Sequence, residues 1–299
     1  MRTGIVHANG IDIAYDAFGN EAHPPVVLVM GLGTQRLAWS DDFCEELAAA
    51  ARHVIRFDNR DVGESTHLPE LGRPTLLDMA RRRAPYGLED MADDLVGLLD
   101  ALSIEAAHVV GASLGGFIAQ TAAIRSTSRV TSLTLIMTST GSRRVGQASL
   151  KVGWRLLRRP SVDDKQSAVE LAVATNELIG SPGYPTDEDR IRKIAGASYD
   201  RSYDPDGYRR QLAASIGQPD RTPQLRTLDV PTLVIHGLAD PLINASGGRA
   251  LAEALPQAKF VGYDGMGHDL PRALWPEITS EIIDHTGRPS ARTTSGTAG

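Results

Sequence analysis

The chain has 299 residues, 41% hydrophobic and 23% charged, which suits one large α/β domain or a domain with an insertion and excludes a disordered or fibrous protein. A net charge of −6 offers nucleic acid no electrostatic footprint, and one cysteine, Cys44, excludes an internal disulfide and cysteine-based zinc or iron–sulfur centres. No stretch approaches the ~18 consecutive apolar residues of a membrane helix. The opening MRTGIVHANGIDIAY alternates like a strand and lacks the apolar run of a secretory signal. A cytoplasmic protein with no integral membrane segment is expected.

Residues 3–18 read as a hairpin about the Asn9-Gly10 turn. Short apolar runs then recur like buried parallel strands, at Val26–Met30, Val54–Phe57, Ala107–Val110, Leu133–Met137, Thr232–Ile235 and Lys259–Tyr263. Segments with apolar residues at helical spacing separate several of them, at Asp41–Ala51, Leu88–Leu102 and Gly115–Arg125, and one more, Leu274–His285, follows the last. A hairpin followed by alternating strand and helix predicts an α/β fold, a mostly parallel twisted sheet with helices on both faces.

One segment breaks that rhythm. Residues 141–228 hold no strand-like run, only a polar helical pattern, so they are expected to form a helical cap over a core made of residues 1–140 and 229–285. Residues 286–299 are small and polar and read as a disordered tail.

The sharpest chemical signal is Gly111-Ala112-Ser113-Leu114-Gly115, a G-x-S-x-G between a strand and a helix. A nucleophile lifted onto so tight a turn crowds its neighbours two positions away, where only glycine fits. Ser113 needs a base, and that base needs an orienting acid. Of the eight histidines, His268 lies in a glycine-rich loop directly after the last predicted strand, and Asp240 follows the strand before it. The resulting order, Ser113, Asp240, His268, is the one expected for a nucleophile elbow. Asp264 and Asp269 are weaker alternatives for the acid, and the other histidines read as surface or packing residues.

An oxyanion hole is also required. Its expected donors are the N–H of Leu114, just after the nucleophile, and that of Leu32, in the loop Met30-Gly31-Leu32-Gly33. Both leucine side chains are expected beside the reacting carbonyl. No metal or cofactor enters this scheme.

With these residues in place, the chain resembles the serine esterases of the α/β-hydrolase fold, over about Gly10 to His285. It is most similar in pattern to actinobacterial carboxylesterases of the mycobacterial Lip type and to anthracycline methylesterases such as aclacinomycin methylesterase. The similarity rests on VVLVMGLG at 26–33, VIRFDNRDVGES at 54–65, LEDMADD at 88–94, HVVGASLGG at 108–116 and YDGMGHDLP at 263–271. It implies a Ser113–Asp240–His268 triad, an acyl-enzyme intermediate and a helical cap inserted after the sixth strand. Two positions depart from many relatives: Met30 stands where they have histidine, and Asp61 where they have glycine. Asp58 and Arg60 are expected to serve as scaffold ion pairs.

The expected activity is hydrolysis of a small-molecule carboxylic ester. Thioesterase, lysophospholipase-like and perhydrolase chemistry share the triad, and a ligand-binding protein on the same fold is the alternative from another class. Self-association into a homo-oligomer stays open. In the cap, Val152, Trp154, Leu156, Leu157 and Leu178 serve either pocket or packing, and Arg143, Arg144, Arg155, Arg158 and Arg159 read first as a solvated face.

Overall fold

The computed structural model describes residues 1–158, 160 and 162–287. Strands β1 (Arg2–Ala8) and β2 (Ile11–Phe18) form the expected hairpin, with Ala8 paired to Ile11 across the turn. Asn9 and Gly10 both adopt positive φ, as a turn matching strand twist demands. They are joined in one eight-stranded sheet by β3 (Pro25–Val29), β4 (His53–Phe57), β5 (Ala107–Ala112), β6 (Val130–Ile136), β7 (Thr232–Gly237) and β8 (Ala258–Tyr263). The order is β1-β2-β4-β3-β5-β6-β7-β8; the first two pairings are antiparallel and the rest parallel.

Strand pleat sorts the apolar runs between two cores. Val27, Val29, Val109, Leu133 and Leu135 face one side, packed by α3 (Leu88–Ala101), α4 (Leu114–Arg125) and α10 (Ser246–Ala254). Val26, Leu28, Val54, Val110 and Ile136 face the other, under α1 (Asp41–Ala49) and α11 (Trp275–Thr286). Because both faces are covered, the central strands are buried along their whole length, which is why they read as continuous apolar runs. A short α2 (Leu76–Ala80), with a Thr75 capping box, precedes α3.

Between β6 and β7 lie α5 (Leu150–Leu157), α6 (Lys165–Ile179), α7 (Glu188–Arg201), α8 (Pro205–Gly217) and α9 (Thr222–Leu225). Thr286 is the buried last residue of α11 rather than the start of a tail, and the remaining tail positions from 288 lie outside the described residues. Among the described residues no helix is long and apolar enough to cross a membrane.

The sheet order also locates the site. From β3 the chain moves to β4 on one side, and from β5 to β6 on the other, so the two loops leaving β3 and β5 diverge above neighbouring strands. Such a switch point opens a crevice at the carboxyl ends of the strands.

Buried histidines tie stability to pH. His108, within hydrogen-bond reach of Ser132 Oγ at 2.8 Å, is pushed down to about 4 by burial, helped by the nearby Arg52 charge. His53 and His236 move the same way for the same first cause. The unfolded chain protonates near its ordinary value of about 6.5. These groups therefore leave stability intact above that pH and remove it as the pH falls toward 4. Denaturant midpoints are expected to drop across this window, with a shallower slope in His108→Gln. A variant slope as steep as the parent's would contradict the assignment.

Candidate active site

Ser113 occupies the turn from β5 into α4 at φ 55°, ψ −117°, a backbone conformation costing a non-glycine residue about 1–3 kcal/mol. The neighbours show how tightly the turn is packed. A Cβ on Gly111 would lie 2.3 Å from the Gly115 carbonyl oxygen, and one on Gly115 would lie 2.1 Å from that of Val29. The elbow is fastened from β6: Ser113 N–H donates to Ile136 O at 2.9 Å, and Thr138 Oγ1 donates to Ser113 O at 2.9 Å.

His268 and Asp240 converge on this serine from the loops after β8 and β7. His268 Nε2 lies 3.0 Å from Ser113 Oγ, and Nδ1 lies 2.7 Å from Asp240 Oδ2. A carboxylate on Nδ1 keeps the proton there and leaves Nε2 free to accept from the hydroxyl. Asp240 is itself fixed, because its Oδ1 accepts the N–H groups of Leu242 and Ile243 at 2.8 and 2.9 Å. The alternatives lie elsewhere. Asp269 accepts from Ser181 Oγ, and Asp264 is exposed on the turn after β8.

The β3 loop abuts the elbow: a Cβ on Gly31 would sit 3.2 Å from Ser113 Cβ. Among the described residues the N–H groups of Leu32 and Leu114 have no acceptor, whereas Gly33 N–H, on the Leu32 loop, donates to Gln211 Oε1 at 2.8 Å. Met30 holds the other flank, its carbonyl accepting from Asn59 Nδ2 at 3.0 Å. One expectation is corrected here. Leu32 lines the cavity, but the Leu114 side chain is buried in the α3–α4 core, because the first turn of α4 faces the sheet.

A cavity of about 460 Å³ opens over Ser113 and His268. Its walls are mostly apolar and come largely from the helices between β6 and β7, including Leu156, Leu157, Leu171, Leu178, Ile194 and Leu212. Of the other cap residues singled out in the sequence, Val152 is buried in packing, Trp154 is exposed beneath the Arg158 guanidinium, and Arg155 reaches the cavity wall. Arg143 and Arg144 are exposed, and Arg159 lies outside the described residues.

Residues 24–271 match the family described as alpha/beta hydrolase fold. The chain belongs to that family. Among similar proteins, rhodomycin D methylesterase DauP of Streptomyces sp. (strain C5) is 30% identical, covering 96% of this chain and 98% of the relative. The 3-oxoadipate enol-lactonase 2 of Acinetobacter baylyi is 25% identical over 82% of each chain. Among solved structures, esterase RhEst1 from Rhodococcus sp. ECU1013 superimposes with a TM-score of 0.71 at 21% identity, covering 95% of this chain and 98% of that one. A meta-cleavage product hydrolase from Pseudomonas fluorescens IP01 gives 0.73 at 20%, covering 94% and 96%. At such identities the structural likeness speaks for the alpha/beta hydrolase fold alone.

In this alpha/beta hydrolase the helices between β6 and β7 also hold the loops that carry His268 and Gly33, which local sequence did not reveal. His268 N–H donates to Ile179 O at 2.7 Å and Gly267 N–H to Ser181 Oγ at 2.9 Å, so the end of α6 holds the histidine loop. Gln211 of α8 spans the β3 loop and Arg60 O, the latter at 2.8 Å.

Asp61, at φ 67°, accepts from Arg210 Nε and Nη2 at 2.8 and 2.7 Å and from Tyr86 Oη at 2.8 Å. The carboxylate at this departure from the relatives' glycine thus anchors α8, and burial pushes the Tyr86 phenol upward. Asp58 and Arg60 do form scaffold ion pairs, though not with each other. Asp58 holds Arg36 and Arg201, and Arg60 forks onto Asp94 at 2.6 and 2.7 Å.

His67, read from sequence as a loop or packing residue, lines the cavity with Nδ1 2.8 Å from Asp204 Oδ2. Ligand atoms of Asp61, His67 and Asp204 lie within 4.8 Å of one another, the one such cluster among the described residues. Arg210 already bridges both of its carboxylates.

Proposed function

We propose that this alpha/beta hydrolase cleaves carboxylic esters through an acyl-enzyme on Ser113. The observation that carries the reading is the continuous contact from Asp240 through His268 to Ser113, beside two backbone N–H groups that have no acceptor among the described residues. His268 takes the hydroxyl proton as Oγ attacks the ester carbonyl, and Asp240 stabilises the imidazolium that forms. The tetrahedral oxyanion lies against Leu32 and Leu114 N–H, donors already in place before the charge develops. His268 returns the proton to the leaving alkoxide, and water then repeats the sequence in reverse on the acyl-enzyme.

The cavity, apolar and far larger than a methyl group, suits a bulky acid joined to a small alcohol. The methylesterase activity named for the Streptomyces relatives supports the same division. Helices α5–α8 act as the cap that keeps water from the acyl-enzyme. The fully buried free thiol of Cys44 fits a cytoplasmic location.

The test pairs methyl with butyl esters of polycyclic aromatic acids and follows release of the free acid. Methyl esters are expected to be hydrolysed with kcat/KM at least about 10-fold higher, the discrimination a few methylenes can give. Release of no acid from any ester would overturn the reading.

A further inference from the structure

The cavity contains a cation that the triad chemistry does not use. Arg190 lies in the first turn of α7 and lines the cavity that holds Ser113 and His268. Its Nε is buried, and no nitrogen of its guanidinium has a hydrogen-bond partner among the described residues. The nearest carboxylate contact is Asp187 Oδ2 at 4.0 Å, beyond hydrogen-bond range, while Asp187 Oδ1 is engaged with the Arg190 backbone N–H at 3.1 Å. Of the other nearby carboxylates, Asp269 accepts from Ser181 and Asn176, and Asp42 accepts from Arg272.

This placement is unfavourable on three counts. Burial pushes the Arg190 guanidinium below its usual range, with Asp187 and Asp269 only partly opposing it. A cation in the first turn also meets the positive end of the helix dipole. The planar fork, moreover, leaves its donors unmatched. Contact with the Trp275 ring, whose centroid is 5.2 Å away, gives a modest return, and Trp275 already carries Arg272 at 5.5 Å. Of the other cavity arginines, Arg155 is exposed, Arg73 faces Asp206 at 3.2 Å, and Arg209 is half-buried on α8.

We infer that Arg190 is the recognition point for an anionic oxygen group on the substrate, a carboxylate or phenolate separate from the ester under attack. Such a group supplies the acceptors the guanidinium lacks, in the planar geometry it favours. The side chain is 24% exposed, so its terminal nitrogens remain accessible to a ligand in the cavity. The inference rests on the esterase reading for its substrate but not for its binding site.

The test uses 4-nitrophenyl monoesters of a series of straight-chain dicarboxylic acids, each beside its neutral counterpart with the distal acid capped as a methyl ester. At the best chain length the wild type is expected to prefer the anionic member, and Arg190→Gln to lower the anionic-to-neutral ratio of kcat/KM about 10- to 100-fold, chiefly through KM. Arg190→Lys should recover part of that ratio. In parallel, calorimetry with the free dicarboxylates is expected to show binding to the wild type that weakens at least about 10-fold in Arg190→Gln. Equal losses on both members, or dicarboxylate affinity indifferent to the substitution, would overturn the assignment. Failure of every ester to turn over would sink the esterase reading instead, and calorimetry would still decide the role of Arg190.

Discussion

Arg210→Met is expected to cost about 3–5 kcal/mol of folding stability, the usual consequence of leaving a buried charge without its partner. Asp61 is fully buried and Arg210 is 1% exposed, with two direct hydrogen bonds between them. Without the guanidinium, the Asp61 carboxylate keeps only the Tyr86 hydroxyl and the Leu68 N–H. Arg210 also bonds Asp204, the N-cap residue of α8, so the loss should loosen α8 where it meets the sheet. The double variant Asp61→Asn, Arg210→Met should be more stable than Arg210→Met alone, because the stranded charge is gone and asparagine accepts the positive φ. Urea titration of the three variants measures both effects. A single variant within about 0.5 kcal/mol of wild type would show that the pair contributes nothing.

Ser113→Ala is expected to lower kcat for ester hydrolysis by at least about 10³-fold, leaving the residual acceleration that binding and the oxyanion donors can supply alone. Substrate affinity should change little, since the hydroxyl is spent on the reaction rather than on holding the ester. Stability should respond differently to glycine. Ser113→Gly removes a side chain from a left-handed backbone and is expected to raise stability by about 1 kcal/mol while abolishing turnover. Chemical denaturation and single-turnover kinetics on the two variants separate these contributions. An alanine variant that retains wild-type kcat would place the nucleophile elsewhere.

The two predictions concern features that differ in how plainly they stand in the sequence. The elbow is local: strand, glycine, serine, glycine and helix fall within adjacent residues, and steric overlap at Gly111 and Gly115 is the reason those types occur there. Asp240 was legible because it follows the continuous apolar run of β7, and His268 because it lies in the glycine-rich loop after β8. The Asp61–Arg210 pair joins residues 149 apart, and no periodicity signals a contact across that distance. Gln211, which holds the β3 loop, and Ser181, which holds the histidine loop, were hidden for the same reason. The α10 helix was missed too. Its sequence, SGGRALAEA, opens on two glycines with poor helix propensity, and packing of Leu251 and Ala254 against the sheet overrides that preference. Leu114 shows the converse error: its backbone position was readable from the motif, but the direction of its side chain depended on how α4 lies on the sheet.

Whether Ser113 is the nucleophile, activated by His268, is decided by treating the intact protein with a fluorophosphonate, which phosphonylates an activated serine, and locating the adduct by peptide mass spectrometry. One adduct is expected, on the peptide carrying Ser113, formed in step with loss of ester hydrolysis and strongly slowed in His268→Ala. Ester hydrolysis that persists with Ser113 unmodified, or loss of activity with the adduct on another residue, would contradict it.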